Sequence, residues 1–138
     1  MRTKETRTII VTGAAGFIGS NFVRLALQHA YRVIGFDILT YAGHVENLEH
    51  WENFSLIIGD IRERKDVANL FKKYKPDAFL NFAAESHVDR SISDPLLFVE
   101  TNVMGTANLL RHALDYWSEL SGDKKEQFRY LQVSTDEV

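Results

Sequence analysis

Short apolar runs alternate along the chain with longer amphipathic stretches. The runs are Thr8–Val11, Arg32–Phe36, Leu56–Ile58, Ala78–Ala83 and Tyr130–Val133. Each is brief and nearly continuous in apolar residues, the pattern of strands buried on both faces of a parallel sheet. The amphipathic stretches Phe17–His29, Arg64–Tyr74 and Pro95–Trp117 predict helices between them. Asp94 before Pro95 reads as an N-cap followed by proline at the first helical position, and Pro76-Asp77 ends the middle helix ahead of the fourth strand. The repeated strand–helix–strand order predicts an α/β fold, a doubly wound parallel sheet with right-handed crossovers.

Three places depart from that rhythm. The segment Ile38 to Asn53 is long for a connection; it holds Thr40-Tyr41-Ala42-Gly43 and a short predicted helix around Val45–His50. Loops of this length in compact domains are often functional. On the last helix, Met104 and Leu109–Leu110 are assigned to the core. Tyr116, Trp117 and Leu120 are expected to cover the sheet or to meet a partner helix. The sequence stops at Ser134–Val138, at the carboxyl end of a strand, which predicts one domain over residues 1–138 that is truncated after its fifth strand.

Composition narrows the function classes. The 138 residues suffice for one domain with a real core. The net charge of -3 gives no electrostatic case for nucleic acid or an anionic membrane. Arg62, Arg64, Lys65, Lys72, Lys73 and Lys75 lie in a mixed-charge stretch that reads as a solvated helix face. No cysteine is present, which excludes disulfides and thiolate metal sites and fits a reducing cytoplasm. The polar N-terminal residues lack the apolar core of a signal peptide, and no run approaches the ~20 apolar residues that span a bilayer. His29, His44, His50 and His112 show no metal-ligand spacing, so no metal site is expected.

The chemistry is concentrated where the predicted strands end. Gly13, Gly16 and Gly19 fall between the first apolar run and the first helix. A strand, a glycine turn and a helix in that order let backbone N–H groups and a helix N-terminus face a phosphate. Asp37 ends the next strand, 18 positions after Gly19, near the ~20 at which a carboxylate meets the ribose hydroxyls of an adenosine. A carboxylate there repels a 2′-phosphate, so a Rossmann fold that takes NAD rather than NADP is expected. Asp60, after Gly59, is either a turn former or a carboxylate at the adenine edge, and spacing favours neither. In Asn81-Phe82-Ala83-Ala84-Glu85-Ser86-His87, small residues give a cofactor backbone room to pass and Glu85, Ser86 and His87 sit at the mouth of the crevice. Ser134-Thr135-Asp136-Glu137 is either a polar turn or a hydroxyl with two carboxyls that divide acid and base roles.

Four blocks carry a family resemblance: Gly13 to Asn21 (Gly-Ala-Ala-Gly-Phe-Ile-Gly-Ser-Asn), Asp37 to Gly43 (Asp-Ile-Leu-Thr-Tyr-Ala-Gly), Ala83 to Ile92 (Ala-Ala-Glu-Ser-His-Val-Asp-Arg-Ser-Ile) and Val133 to Val138 (Val-Ser-Thr-Asp-Glu-Val). The chain resembles the extended short-chain dehydrogenase/reductase family and, within it, the sugar-nucleotide dehydratases that act on dTDP-glucose. The resemblance implies that Phe17 and Ile18 line the pyrophosphate with the three glycines. Asp37, Ile38, Leu39 and Thr40 would hold the ribose, and Asp60 and Ile61 would flank the adenine. Phe82, Ala83, Ala84, Glu85, Ser86 and Thr101 would follow the cofactor toward the nicotinamide. Ser86 and Thr135 would touch the sugar nucleotide, Asp136 would protonate the departing C6 hydroxyl, and Glu137 would remove the C5 proton. The implied reaction oxidises C4 transiently, eliminates water across C5 and C6 and returns the hydride to C6, a step of rhamnose and related deoxysugar synthesis.

The family's Tyr-x-x-x-Lys pair, whose tyrosinate is the base for C4 oxidation, does not occur in the sequence. The C-terminal substrate domain is likewise not expected in these residues, so the 138-residue chain is expected not to turn over substrate. Family members are usually homodimers built from two helices per subunit, of which Pro95–Trp117 would be one. Two other readings stand beside this one: another nucleotide-sugar epimerase, dehydratase or decarboxylase, and a non-catalytic NAD-binding fragment. The Asp136-Glu137 pair speaks against an epimerase.

Overall fold

The computed structural model describes residues 5–39, 51–86 and 88–134. Five strands, β1 (Thr8–Thr12), β2 (Arg32–Asp37), β3 (Phe54–Ile58), β4 (Ala78–Asn81) and β5 (Arg129–Gln132), form one sheet in the order β3-β2-β1-β4-β5. Every pairing is parallel, with Ile10 opposite Ile34 on one side and Phe79 on the other. From β1 the chain winds outward first through β2 to β3, then returns to β4 on the opposite side. The carboxyl ends of β1 and β4 therefore meet at the point where the winding reverses, which is where ligands bind in open α/β sheets.

Helices cover both faces. On one face Val23 and Ala26 of α1 (Phe17–Gln28) pack with Ile9, Val11, Val33 and Leu80. On the other, Val67, Leu70 and Phe71 of α2 (Arg64–Tyr74) and Leu109 and Ala113 of α5 (Thr106–Glu119) pack with Ile10, Ile34, Phe36 and Phe79. Strand alternation puts odd and even positions of β1 on opposite sides, which is why Ile9 and Ile10 belong to different cores. The Phe79 ring stacks between Phe71 and Tyr130, at centroid distances of 5.0 and 5.7 Å, and carries this face across to β5.

Several expectations need correction. Pro95–Trp117 is not one α-helix: α4 (Pro95–Phe98) passes into a π-helical turn at Val99–Gly105 before α5 begins. Its start agrees with the sequence, since the Asp94 carboxylate accepts the Leu97 N–H at 3.3 Å and Pro95 stands at the head of the helix. Two short helices, α3 (Val88–Ser93) and α6 (Gly122–Gln127), have no counterpart in the sequence pattern, because neither is long enough to show a period. Met104 and Leu110 are exposed rather than core, while Leu109 is fully buried. A single residue turns a helix by roughly 100°, enough to separate Leu109 from Leu110. The edge strands are not buried on both faces: Ile58 of β3 and Leu131 of β5 are more than half exposed. The fourth strand is shorter than its apolar run, ending at Asn81 rather than Ala83.

Tyr116 and Leu120 pack on the sheet's core, in agreement with the sequence. Trp117 instead leans on α6, its indole N–H donating to the Lys125 carbonyl at 3.0 Å. Arg64, Lys65, Lys72, Lys73 and Lys75 lie exposed along and after α2, but Arg62 does not share their role. The predicted helix around Val45–His50 lies outside the described residues. Among the described residues no helix is long and apolar enough to cross a membrane.

Candidate functional site

The loops after β1, β2, β3 and β4 all emerge at one edge of the sheet, because parallel strands share a direction. The glycine turn comes first. Gly13 leaves β1 with φ +65°, a conformation that costs a non-glycine residue about 1–2 kcal/mol. Its N–H donates to the Phe36 carbonyl at 2.9 Å, and its own carbonyl accepts the Gly16 N–H at 3.1 Å. A Cβ on Gly13 would stand 2.7 Å from the backbone of Phe82 and Ala83, and a Cβ on Gly19 would run into the Gly13 carbonyl oxygen.

Gly16 then caps α1 without a side-chain hydrogen bond. The helix therefore opens with N–H groups and the positive end of its dipole directed outward, the arrangement that receives a phosphate. Phe17 and Ile18, in this first turn, are 79% and 64% exposed, so they stand beside the opening. The residues present fit a dinucleotide: a cradle that a Cβ would fill, a helix start without a side-chain cap, and a carboxylate at the end of the neighbouring strand.

That carboxylate is Asp37, which is buried at the end of β2. One of its oxygens accepts the Ala15 N–H at 2.9 Å and the other the Leu39 N–H at 2.7 Å. Each carboxylate oxygen offers two lone-pair directions, and each accepts one of these two hydrogen bonds from the described residues. Ile38 is exposed and Leu39 takes φ +58°, so the backbone turns sharply just past Asp37.

Asp60, after β3, is first of all a turn former. Its carboxylate accepts the Arg62 N–H at 2.9 Å and grips the Arg62 guanidinium at 2.7 Å. Burial pushes the Asp60 carboxyl up, but the hydrogen bonds and charge of Arg62 outweigh it and hold the group below its ordinary value. The Asp60 N–H donates to Asp66 at 3.1 Å, and Arg62 reaches onward to Glu100 at 3.3 Å. Ile61 is buried, and its carbonyl accepts from the Asn108 amide at 2.7 Å.

After β4, residues 82–86 leave the sheet beside the end of β1. Phe82 packs on Phe22 of α1, with ring centroids 5.3 Å apart. The Ala83 N–H donates to the Asn81 side-chain oxygen at 3.1 Å, which also accepts the Thr12 hydroxyl. The Asn81 amide in turn donates to Gln132 of β5 at 2.9 Å. Ala84 and Ser86 are exposed, whereas Glu85 is buried. The Glu85 backbone is held at both ends by one side chain: its N–H donates to Asn102 Oδ1 at 2.9 Å and its carbonyl accepts from Asn102 Nδ2 at 3.0 Å. Thr101 is the next residue back in the π-helical turn.

The structure thus gathers Gly13, Gly16, Phe17, Ile18, Gly19, Asp37, Asp60, Ile61 and residues 82–86 at one edge. Thr40, His87, Thr135, Asp136 and Glu137 lie outside the described residues. β5 leads toward the last three through Val133, whose N–H donates to the Asn81 carbonyl at 3.1 Å. Among the described residues no cluster of His, Cys, Asp or Glu can hold a metal ion.

Four residues that support these loops escape sequence reasoning: Arg62, Glu100, Asn102 and Asn108. Asp60 and Arg62, two apart in a turn after a strand, carry a local signal for an Asx turn. Asn102 and Asn108 act on partners 17 and 47 residues away, and no local pattern marks such contacts.

Comparison with known proteins agrees with this fold. The chain is 49% identical over 134 residues to a dTDP-glucose 4,6-dehydratase of Xanthomonas campestris, a match that covers 95% of this chain and 38% of that protein. Its fold superposes on a crystal structure of dTDP-glucose 4,6-dehydratase from Bacillus anthracis in complex with NAD, with a TM-score of 0.78 and 36% identity over 96% of this chain and 39% of that one. A UDP-glucose 4-epimerase from Thermotoga maritima, with UDP-glucose, matches with a TM-score of 0.74 and 33% identity over 79% of this chain and 34% of that one. The chain therefore spans between a third and two-fifths of the length of these relatives. The family described as GDP-mannose 4,6 dehydratase matches residues 10–138, glycine turn and all, and the chain belongs to that family.

Proposed function

We propose that these residues are the NAD-binding part of a dTDP-glucose 4,6-dehydratase. The carrying observation is the glycine turn packed without room for Cβ atoms against the start of the 82–86 loop, with the Asp37 carboxylate fastened to the Ala15 N–H beside it. The turn and the open helix end would take the pyrophosphate, Asp37 with residues 38–40 the adenosine ribose, and Asp60 and Ile61 the adenine edge. Residues 82–86 and Thr101 would run along the remainder of the cofactor. NAD, when bound, supplies reversible hydride acceptance at the sugar.

The chain's own part in the chemistry lies past β5. Thr135 and Ser86 would orient the sugar nucleotide, Asp136 would deliver a proton to the C6 oxygen, and Glu137 would remove the C5 proton. Elimination of water needs both transfers, and a pair of carboxyls with separated pKa values can divide them. The 49% identity with the Xanthomonas dehydratase supports dTDP-glucose as the substrate. Dimerisation and a cytoplasmic location belong to the same reading. Leu110 and Leu114 are exposed at i and i+4 on one face of α5, which suits a helix packed on its copy.

The likeness to the UDP-glucose 4-epimerase favours one competing reading, a sibling acting on another nucleotide sugar. Formation of a 4-keto-6-deoxy product, rather than the C4 epimer, by the complete protein separates the two. Calorimetric titration of the chain with NAD⁺ and NADP⁺ tests the cofactor site directly. NAD⁺ is expected to bind tighter; tighter NADP⁺ binding would overturn the role given to Asp37.

A further inference from the structure

The π-helical turn Val99–Gly105 touches two of the loops that leave the carboxyl edge of the sheet. Toward one, Asn102 grips the Glu85 peptide through two hydrogen bonds of 2.9 and 3.0 Å. Toward the other, Glu100 reaches Arg62 at 3.3 Å, and Arg62 in turn holds Asp60 at 2.7 Å. Gly105 closes the turn directly on Ile61, where a Cβ would stand 2.7 Å from the Ile61 side chain. Just beyond, Asn108 anchors the Ile61 carbonyl at 2.7 Å.

These contacts are unequal. The Glu100–Arg62 pair is largely exposed, and such pairs contribute little on their own. Asn102 acts on a residue shielded from water, where a donor and an acceptor on one short side chain match both backbone groups. π-helical turns are rare and recur at functional sites. Here the wider i→i+5 turn fits one extra residue into the helix just where contacts to two separate loops must be made at once.

We propose that the turn Val99–Gly105 is a brace that fixes the distance between the two ends of the groove, with Asn102 as the positioning residue of the 82–86 loop and Arg62, steadied by Glu100, as that of the 59–62 turn. The two arms are separable. Asn102 governs the half of a dinucleotide beyond the pyrophosphate, and Arg62 the adenine half. The assignment of ends rests on the NAD reading above; the mechanical role of the brace does not.

The test uses the 138-residue chain, Asn102→Ala, Arg62→Ala and a deletion of Val103, which restores α-helical pitch. Amide hydrogen exchange is read at Glu85 and Arg62, and affinity for NAD⁺ and for ADP by calorimetry. Asn102→Ala is expected to speed exchange at Glu85 about tenfold with no change at Arg62, and to weaken NAD⁺ about fivefold to tenfold while ADP binds as before. Arg62→Ala is expected to weaken NAD⁺ and ADP alike. Deletion of Val103 is expected to weaken NAD⁺ more than either substitution. The proposal is overturned if Asn102→Ala weakens both nucleotides equally, as general destabilisation would, or leaves Glu85 exchange unchanged. If the Val103 deletion does not fold, Asn102→Ala decides. A parent chain that binds neither nucleotide removes the NAD reading, while the exchange data still judge the brace.

Discussion

Asp37 has a part in the fold of its own, apart from the ligand role proposed for it. Its carboxylate ties the glycine turn, through the Ala15 N–H, to the end of β2, and it also sets the Leu39 turn. Removing it withdraws the acceptor from two backbone donors near the core. Asp37→Ala is therefore expected to lower stability by about 2 kcal/mol, read as a lower urea midpoint at unchanged slope. A residue that merely waited for a ribose would show no such loss in the free protein. Asp60 differs in kind: its partner is the charged Arg62, and its carboxyl sits below its ordinary value because of that partner. A group depressed on folding lends stability above its unfolded pKa and loses it as pH falls through the folded one, so this turn loosens only in acid.

At the scale of elements, the sequence is most informative where a regular period runs uninterrupted. α2 is predicted over Arg64–Tyr74 and lies there, because Val67, Leu70 and Phe71 form one buried stripe and Pro76 stops continuation. The glycine turn and Asp37 are legible for the same reason, since strand, turn and helix follow directly in the chain. The π-helical turn is not, because a single extra residue shifts the phase of an apolar stripe without changing its composition. Nor is the Asn102–Glu85 contact, which depends on tertiary packing. Helix ends give a cleaner prediction. Lys75 closes α2 with φ +45°, a position that glycine occupies without strain. Lys75→Gly is expected to raise stability by about 0.5–1 kcal/mol, seen as a higher thermal midpoint.

For the whole molecule, the sheet has a dry centre and wetter flanks. The aromatic column Phe71–Phe79–Tyr130, together with Tyr116 against Phe128, carries the core to the β5 side. Burial pushes the Tyr116 phenol up to about 12, with the nearby Asp77 charge adding to it. Burial likewise pushes Tyr130 up to about 12. The unfolded phenols titrate near 10, so both groups bind more protons in the folded chain between those values. Their contribution is intact below about pH 10 and is lost as pH rises toward about 12. Spectrophotometric titration should show Tyr116 and Tyr130 ionising well above the value near 10 of a free phenol, and thermal stability should decline across the same alkaline interval. Ionisation of Tyr116 and Tyr130 near pH 10 would contradict this packing.

The stack at Gly13 and Gly19 has a consequence for how such a chain can change over generations. What blocks a side chain at Gly19 is the carbonyl of Gly13, and what blocks one at Gly13 is the backbone of Phe82 and Ala83. An obstruction made of side chains can be relieved by a second substitution that trims the neighbour. One made of backbone cannot, because every residue carries the same backbone atoms. Descent at these two positions thus has no paired route around glycine, and Phe82, although 69 residues further along the chain than the Gly13 it blocks, shares the same constraint.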